Sequence, residues 1–214
     1  MKIVHHKKQA NKQLLLLFNG WGFDGRIFSD VNIPDYDIIS VYDYSETDPQ
    51  QLNFTNDYES VNLMAWSYGV FIANIYAEYI HNLKKAIAVN GTITPVDDTN
   101  GIPKDVFIAT LHNLNEKSRD KFYLRIAGGL TAFKAIKDKL PERSVENQLN
   151  ELENLYKLSL VEYTGGINWD KAILSQNDKI FPYNNMLNAW GDKAITIDGE
   201  HYVDFNFIIK SYLV

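Results

Sequence analysis

Residues Val61–Ala73 read VNLMAWSYGVFIA, in which a short apolar run leads through one serine into a helix-like pattern. Small residues, Ala65 and Gly69, stand two positions before and two positions after Ser67. This is the layout of a nucleophile elbow, where a strand turns sharply into a helix and exposes the serine hydroxyl from a strained backbone conformation. Larger side chains at the flanking positions would collide with the neighbouring strand and helix. The alternative is that Ser67 is only the N-cap of a helix after a buried strand.

The composition bounds the classes of protein to which the chain can belong. Its 214 residues are 45% hydrophobic and 13% aromatic, enough for one substantial core and one domain with an insertion. The chain has no cysteine, which excludes a disulfide framework, a thiolate nucleophile and a thiolate metal site. The net charge of −6 argues against non-specific binding of nucleic acid by the whole molecule.

Three further features concern the expected location and cofactors. No apolar run is long enough to cross a bilayer, and the first residues have no apolar signal region, so we expect a cytoplasmic protein and no membrane partner. No H-x-x-x-H or similar spacing of ligands is present, which disfavours a metal-dependent mechanism. We therefore expect neither a metal nor another cofactor.

Apolar runs at 14–18, 36–42, 61–66, 85–90, 169–174 and 194–197 predict strands, and helices are predicted at 69–81 and 202–213. Strands that alternate with helices indicate an α/β protein with a mainly parallel sheet. From about 95 to 166 the alternation stops and only helices are predicted. We interpret the chain as a single domain, residues 1–214, with a small helical cap inserted at about 95–166, over the carboxyl ends of the strands.

A serine nucleophile needs a base, and His201 is the candidate because it follows the last predicted strand and precedes the last helix. The other histidines fit this role less well. His5 and His6 are adjacent on a predicted edge strand and point to opposite faces. His81 stands near a helix C-terminus and His112 on a cap helix. The alternative is that His201 merely begins the last helix.

Asp178 is the candidate for the acid that orients the base, since it follows the predicted strand at 169–174 and is held by a turn before a proline. Its competitors are Asp97, Asp98 and Asp204. The order Ser67…Asp178…His201 is the order of the catalytic triad in the α/β-hydrolase fold.

An oxyanion hole requires two N–H donors. The residue after the nucleophile, Tyr68, supplies one, and the loop after the first buried strand supplies the other. In that loop Gly20-Trp21-Gly22 lets the backbone approach a substrate, and the N–H of Trp21 is the candidate. The alternative for the two glycines is a plain tight turn.

Four segments taken together resemble the BioG-type pimeloyl-[acyl-carrier protein] methyl ester esterases of the α/β-hydrolase superfamily: residues 19–22 (NGWG), 65–69 (AWSYG), 177–182 (NDKIFP) and 199–201 (GEH). The resemblance covers nearly the whole chain and is weakest in the cap. It implies that Ser67 is the nucleophile, Asp178 the acid and His201 the base, with oxyanion N–H groups from Trp21 and Tyr68.

The resemblance also implies a substrate and a partner, namely the methyl ester of a pimeloyl chain carried on an acidic acyl-carrier protein in biotin synthesis. Residues 117–143 carry a net charge of +5, which would steer an acidic partner. The basic residues of this patch are Lys117, Arg119, Lys121, Arg125, Lys134, Lys137, Lys139 and Arg143. The alternative is that they are solvated helix faces rich in lysine.

The leading hypothesis is therefore a serine carboxylesterase that acts on carrier-bound pimeloyl methyl ester. A hydrolase of other short acyl esters or thioesters is the second hypothesis, because one fold supports many substrates. A non-catalytic binding module on the same fold is the third, and it requires that Asp178 or His201 lie out of reach of Ser67.

Overall fold

The computed structural model describes all residues from Met1 to Val214 and is built around one seven-stranded sheet. Its strands are β1 (Lys2–Lys7), β2 (Gln13–Phe18), β3 (Tyr36–Tyr42), β4 (Ser60–Trp66), β5 (Leu83–Val89), β6 (Lys171–Ser175) and β7 (Ala194–Ile197). They are ordered β1-β3-β2-β4-β5-β6-β7. Edge strand β1 is antiparallel to β3, and every other pair is parallel. The predicted mainly parallel α/β sheet is confirmed.

Strand β2 shows why this sheet is buried on both faces. Its residues from Leu14 to Phe18 are all 0% exposed. Leu14, Leu16 and Phe18 pack into the apolar layer on one face, whereas Leu15 and Leu17 pack into the layer on the other. Side chains alternate along a strand, so an unbroken apolar run can serve two layers at once, as parallel sheets require.

The two layers are completed by helices, which are α1 (Tyr68–Ile75), α2 (Lys104–His112), α3 (Glu116–Ala127), α4 (Leu130–Ala135), α5 (Val145–Ser159), α6 (Tyr183–Trp190) and α7 (Phe205–Tyr212). Buried side chains of α1, α2, α5 and α6 lie in the layer of Leu14. Those of α3 and α7 lie in the layer of Leu15. No helix combines the length and the hydropathy that are needed to span a membrane.

Two predicted helices are shorter in the structure. The helix after Ser67 ends at Ile75, not near residue 81, and a separate 3-10 turn follows at Ala77–Tyr79. At its end the side chain of Asn74 accepts hydrogen bonds from Ile167 N and Trp169 Nε1, which tie this end to the segment before β6. The last helix begins at Phe205, because the Asp204 side chain caps its N-terminus.

Helices α2 to α5 all lie between β5 and β6, within the segment 95–166 that was expected to be inserted. We call residues 95–166 the inserted segment. It contacts both apolar layers, through Phe107 of α2 and Leu152 of α5 on one side and Ile126 of α3 on the other.

Candidate active site

Ser67 occupies the turn between β4 and α1 in an unusual backbone conformation, with φ 58° and ψ −128°. Few residues other than glycine adopt a positive φ, and such strain is found at functional sites. The side chain of Ser67 makes no capping hydrogen bond to α1. Ser67 therefore does not cap the helix through its hydroxyl, as the N-cap alternative requires.

The turn is closed by small residues on either side of Ser67. A Cβ atom added to Gly69 would lie 2.6 Å from the carbonyl oxygens of both Phe18 and Asn19. One added to Gly91, just after β5, would lie 2.2 Å from the carbonyl oxygen of Ser67. Ala65 is fully buried within β4, so its methyl group is accommodated in the first small position of the motif.

Ser67, His201 and Asp178 form a continuous series of hydrogen bonds. Ser67 Oγ lies 3.0 Å from His201 Nε2, and His201 Nδ1 lies 2.7 Å from Asp178 Oδ2. The His201 and Asp178 side chains are 1% and 0% exposed. Because a carboxylate only accepts, Nδ1 carries the proton and Nε2 accepts from the serine hydroxyl.

Asp178 is held in place by its other oxygen. Its Oδ1 accepts hydrogen bonds from the N–H groups of Ile180 and Phe181, at 2.7 and 3.0 Å. Lys179 turns away and contacts Glu200. The competing carboxylates are engaged elsewhere: Asp97 binds Thr99 and Asn100, Asp98 accepts from Lys104 N, and Asp204 caps α7.

Two residues to which the sequence analysis gave no role bind the main chain of His201. The carbonyl oxygen of His201 accepts from Trp66 Nε1 and from Asn90 Nδ2, both at 2.9 Å. Asn90, which has φ 46°, also bonds the main-chain N–H and the hydroxyl of Ser175 at the end of β6. A polar residue directly after a buried strand was the available signal for Asn90, but no local pattern indicates its partner.

Trp21 and Tyr68, the candidates for the oxyanion hole, line the same cleft as Ser67. The main-chain N–H groups of both residues make no hydrogen bond to another main-chain group. The Tyr68 phenol is also buried without a partner, and burial raises its pKa well above the usual value. The phenol therefore stays neutral, and the assignment of Trp21 and Tyr68 as oxyanion donors stays a prediction.

The cleft beside Ser67 measures about 490 Å³ with its open mouth, and most of its lining is apolar. Its walls are Trp21, Ser67, Tyr68, Ile102, Val106, Phe107, Thr110, Phe122, Arg125, Leu152, Lys179 and Ile180. A second groove, of about 720 Å³, shares Trp21, Val106, Thr110, Phe122 and Arg125 with it and extends along α2 and α3 to Asn113 and Ser118. The two cavities therefore adjoin at these five shared residues.

Arg143 is not part of an exposed basic patch, so its prediction as a docking residue is wrong. Its side chain is 5% exposed and pairs with Asp43 at 2.9 Å and with Glu151 at 2.8 Å. Burial raises the pKa of Glu151, although the charge of Arg143 opposes that shift. Burial also acts to raise the pKa of Asp43, but hydrogen bonds from Lys2 and Ser45 and the charge of Arg143 lower it to about 2.

The other basic residues of the predicted patch fall into two groups. Arg119 and Lys139 are partly buried and engaged, with Asp120 and Asp30 respectively. The exposed members make no ion pair, and they are Lys117, Lys121, Arg125, Lys134 and Lys137. Lys117, Lys121 and Arg125 follow a four-residue spacing and so form one stripe along α3, which borders the groove at Arg125.

Comparison with known proteins places the chain in a family. The family model described as pimeloyl-ACP methyl esterase BioG matches residues 1–212. A malonyl-[acyl-carrier protein] O-methyltransferase of Bacteroides fragilis is 37% identical over 195 residues, which are 89% of this chain and 40% of that protein. The chain thus spans less than half of that relative.

Solved structures agree with this placement. BioG from Haemophilus influenzae superposes with a TM-score of 0.81 at 32% identity, covering 95% of this chain and 94% of that one. An esterase from Exiguobacterium antarcticum shares the fold, with a TM-score of 0.65 at 14% identity over 98% of this chain and 90% of that one. The chain has the α/β-hydrolase fold and belongs to the BioG family of pimeloyl-ACP methyl esterases.

Proposed function

We propose that this protein is a serine carboxylesterase that hydrolyses the methyl ester of pimeloyl-[acyl-carrier protein] in biotin biosynthesis. We further propose that residues 1–214 are one α/β-hydrolase domain in which the inserted segment acts as a cap. The observation that carries the proposal is the hydrogen-bonded series Ser67–His201–Asp178, which opens into an apolar cleft in a chain of this family.

In the first half of the reaction Ser67 Oγ attacks the ester carbonyl while His201 Nε2 takes the hydroxyl proton. Asp178 keeps the other ring nitrogen protonated and stabilises the imidazolium that forms. The carbonyl oxygen becomes an oxyanion, which accepts hydrogen bonds from the N–H groups of Trp21 and Tyr68. The tetrahedral intermediate then collapses, and methanol leaves with the proton from His201.

In the second half a water molecule gives a proton to His201 and attacks the acyl group on Ser67. The second tetrahedral intermediate releases the serine, which takes its proton back from His201. The product is a free carboxylate at the far end of the pimeloyl chain. The Asp178 carboxylate is fully buried and fixed by main-chain N–H groups, so it can orient His201 through both steps.

The shape and charge around the cleft suit a carrier-bound substrate. An acyl chain that enters beside Ser67 meets apolar walls such as Ile102 and Phe107, and the groove along α2 and α3 gives its remainder a way out. At that exit lies the exposed stripe Lys117, Lys121 and Arg125. We place the acidic carrier on this stripe, where its charge would be attracted and steered.

The deciding experiment compares wild type and Ser67→Ala on pimeloyl-carrier methyl ester and on a short-chain aryl ester. We expect the wild type to cleave the carrier-linked ester far faster, and we expect Ser67→Ala to lose roughly 10⁶-fold in kcat, as serine removal does in related triads. Equal rates on both esters would indicate a general short-acyl esterase or thioesterase. Full activity of Ser67→Ala would refute the serine mechanism and require another catalytic site, whereas a wild type that cleaves neither ester would indicate a non-catalytic role.

A further inference from the structure

We propose that helix α5 of the inserted segment is part of the catalytic apparatus, because Gln148 and Glu151 act as positioning residues for the oxyanion loop. We define the oxyanion loop as Trp21–Phe23. The inference rests on the proposed function, since it assigns a purpose to contacts that surround the proposed donor at Trp21.

The contacts fasten the loop at consecutive residues. The indole N–H of Trp21 donates to the carbonyl oxygen of Gln148 at 2.8 Å. The N–H of Gly22 donates to Glu151 Oε2 at 2.9 Å, and Gln148 Nε2 donates to the carbonyl oxygen of Gly22 at 2.7 Å. Both polar groups of the Gly22 main chain are therefore bound by side chains of one helix. The carbonyl oxygen of Phe23 accepts from Arg143 Nη1, which precedes that helix.

These side chains are buried and have few alternative partners. Gln148 is 1% exposed and Glu151 is 0% exposed. Glu151 also accepts from Tyr44 N at 2.9 Å and pairs with Arg143. Because Gly22 O can only accept, the amide of Gln148 must direct its nitrogen toward the loop. Burying an amide and a carboxylate in a helix is costly unless they are bonded, and the loop supplies one bond to the Gln148 nitrogen and one to the Glu151 carboxylate.

The loop needs this support because glycine does not fix a backbone conformation by itself. Gly22 has φ 79°, in the left-handed region. Gly22 follows Trp21 directly. Trp21 is therefore constrained on two sides, by its hydrogen-bonded indole and by the bonded main chain of Gly22. An oxyanion donor is effective only when it is already oriented before the charge develops. The second donor, at Tyr68, begins helix α1 and depends on the sheet rather than on α5.

The expected effect is therefore on the transition state and not on substrate binding. Loosening the loop should lower kcat and leave KM nearly unchanged. It should also weaken a trifluoromethyl ketone, which forms a charged tetrahedral adduct with the serine, by the same factor. Substitution of a residue that only stabilises the fold would lower the melting temperature and leave both kcat and the inhibitor affinity unchanged.

The test uses the full chain and the short-chain aryl ester, so that carrier docking does not enter. Gln148→Met keeps the volume but removes the bond from the amide to the carbonyl oxygen of Gly22, together with its other bond, to the hydroxyl of Tyr123. Asn154→Ala is the control on the same helix, because the Asn154 side chain donates to Tyr44 O and bonds no residue of the oxyanion loop. For each variant kcat, KM, trifluoromethyl ketone affinity and melting temperature are measured.

We expect Gln148→Met to lose about 10- to 100-fold in kcat and in inhibitor affinity, with KM within about twofold, whereas Asn154→Ala keeps wild-type kcat. Wild-type kcat in Gln148→Met, or an equal loss in Asn154→Ala, would overturn the inference. If Gln148→Met does not fold, Trp21→Phe removes the bond from the indole to the Gln148 carbonyl oxygen and must show the same loss in kcat and in inhibitor affinity. Its KM is not compared, because Trp21 also lines the cleft. Failure of the proposed function is distinguishable, since Ser67→Ala would then keep its activity.

Discussion

The carboxyl edge of the sheet and the inserted segment contribute to the site by different physical means. At the sheet edge Ser67, Asp178 and His201 follow β4, β6 and β7, so the parallel backbone itself brings them together. The inserted segment bonds the rest of the chain through buried side chains: Arg143 pairs with Asp43, and Glu151 accepts from the N–H groups of Gly22 and Tyr44. Substitutions at the sheet edge should therefore lower kcat and leave the protein stable. Substitutions at the buried ion pairs should lower the free energy of unfolding or displace the inserted segment.

After Ser67→Ala, the largest expected effect is that of Asp178→Asn. The amide is isosteric but cannot hold the required tautomer of His201, and such a change lowers kcat by about 10⁴-fold in related triads. Hydrolysis of the aryl ester measures kcat, and thermal unfolding serves as the control for the fold. A loss of less than about tenfold would show that Asp178 does not orient His201. The matched control Asp204→Asn, at the cap of α7, should keep wild-type kcat.

The next effect belongs to the inserted segment. Arg143→Met should lower the free energy of unfolding by about 3–5 kcal/mol, because it leaves the buried carboxylate of Glu151 without its cation and leaves Asp43 with Lys2 alone. For a chain of this size this corresponds to a fall in melting temperature of roughly 6–20 °C. Lys134→Met, at an exposed position, is the control. Equal melting temperatures for both variants would contradict the role of Arg143.

Acid should weaken the ion pairs of Asp43, because the pKa of its carboxyl is lowered in the folded protein. The pKa of Asp43 is lowered from 3.8 to about 2, so its contribution to stability is complete above about pH 4 and is lost as the pH falls toward 2. Asp43→Asn should flatten the dependence of the melting temperature on pH within that window. An unchanged acid slope in Asp43→Asn would show that other carboxylates cause it.

A smaller effect is expected from the hydrogen bonds to the His201 carbonyl oxygen. Trp66→Phe removes one of the two donors to the His201 carbonyl oxygen and leaves Asn90 in place. A single such bond contributes about 1 kcal/mol, so we expect a loss of about fivefold in kcat. Trp169→Phe is the matched control, since its indole N–H bonds Asn74 on another side of the molecule. Equal losses in both variants would indicate a general packing effect.

The smallest effect concerns docking on the inserted segment. Lys117→Glu/Lys121→Glu should raise KM for the carrier-linked ester several-fold at low salt and leave the aryl ester unaffected, because exposed charges act mainly on association. Lys134→Glu/Lys137→Glu carries the same change in net charge outside the stripe on α3. A similar rise in KM for both pairs would show that net charge, and not the stripe, attracts the carrier.

The sheet edge was predictable because its signals are local. The apolar runs of β2 and β4 predicted buried strands, and the small residues around Ser67 predicted the elbow that the structure contains. Asp178 and His201 were found because each follows a strand in the expected order along the chain. Helix α1 was predicted too long, because Asn74 is bound by residues that are distant in sequence.

The sequence by itself determined the α/β class, the strand order along the chain and the three residues that meet at the sheet edge, since backbone periodicity and turn geometry are written in neighbouring residues. Only the tertiary structure decided that Arg143 is a buried counter-ion and not an exposed residue, that Asn90 and Trp66 bond the His201 carbonyl oxygen, and that Gln148 and Glu151 bind the main chain of Gly22. The physical reason is that charge and polarity in a sequence look the same whether a side chain is solvated or buried. Whether such a side chain is solvated or buried depends on its partners, which are distant in sequence.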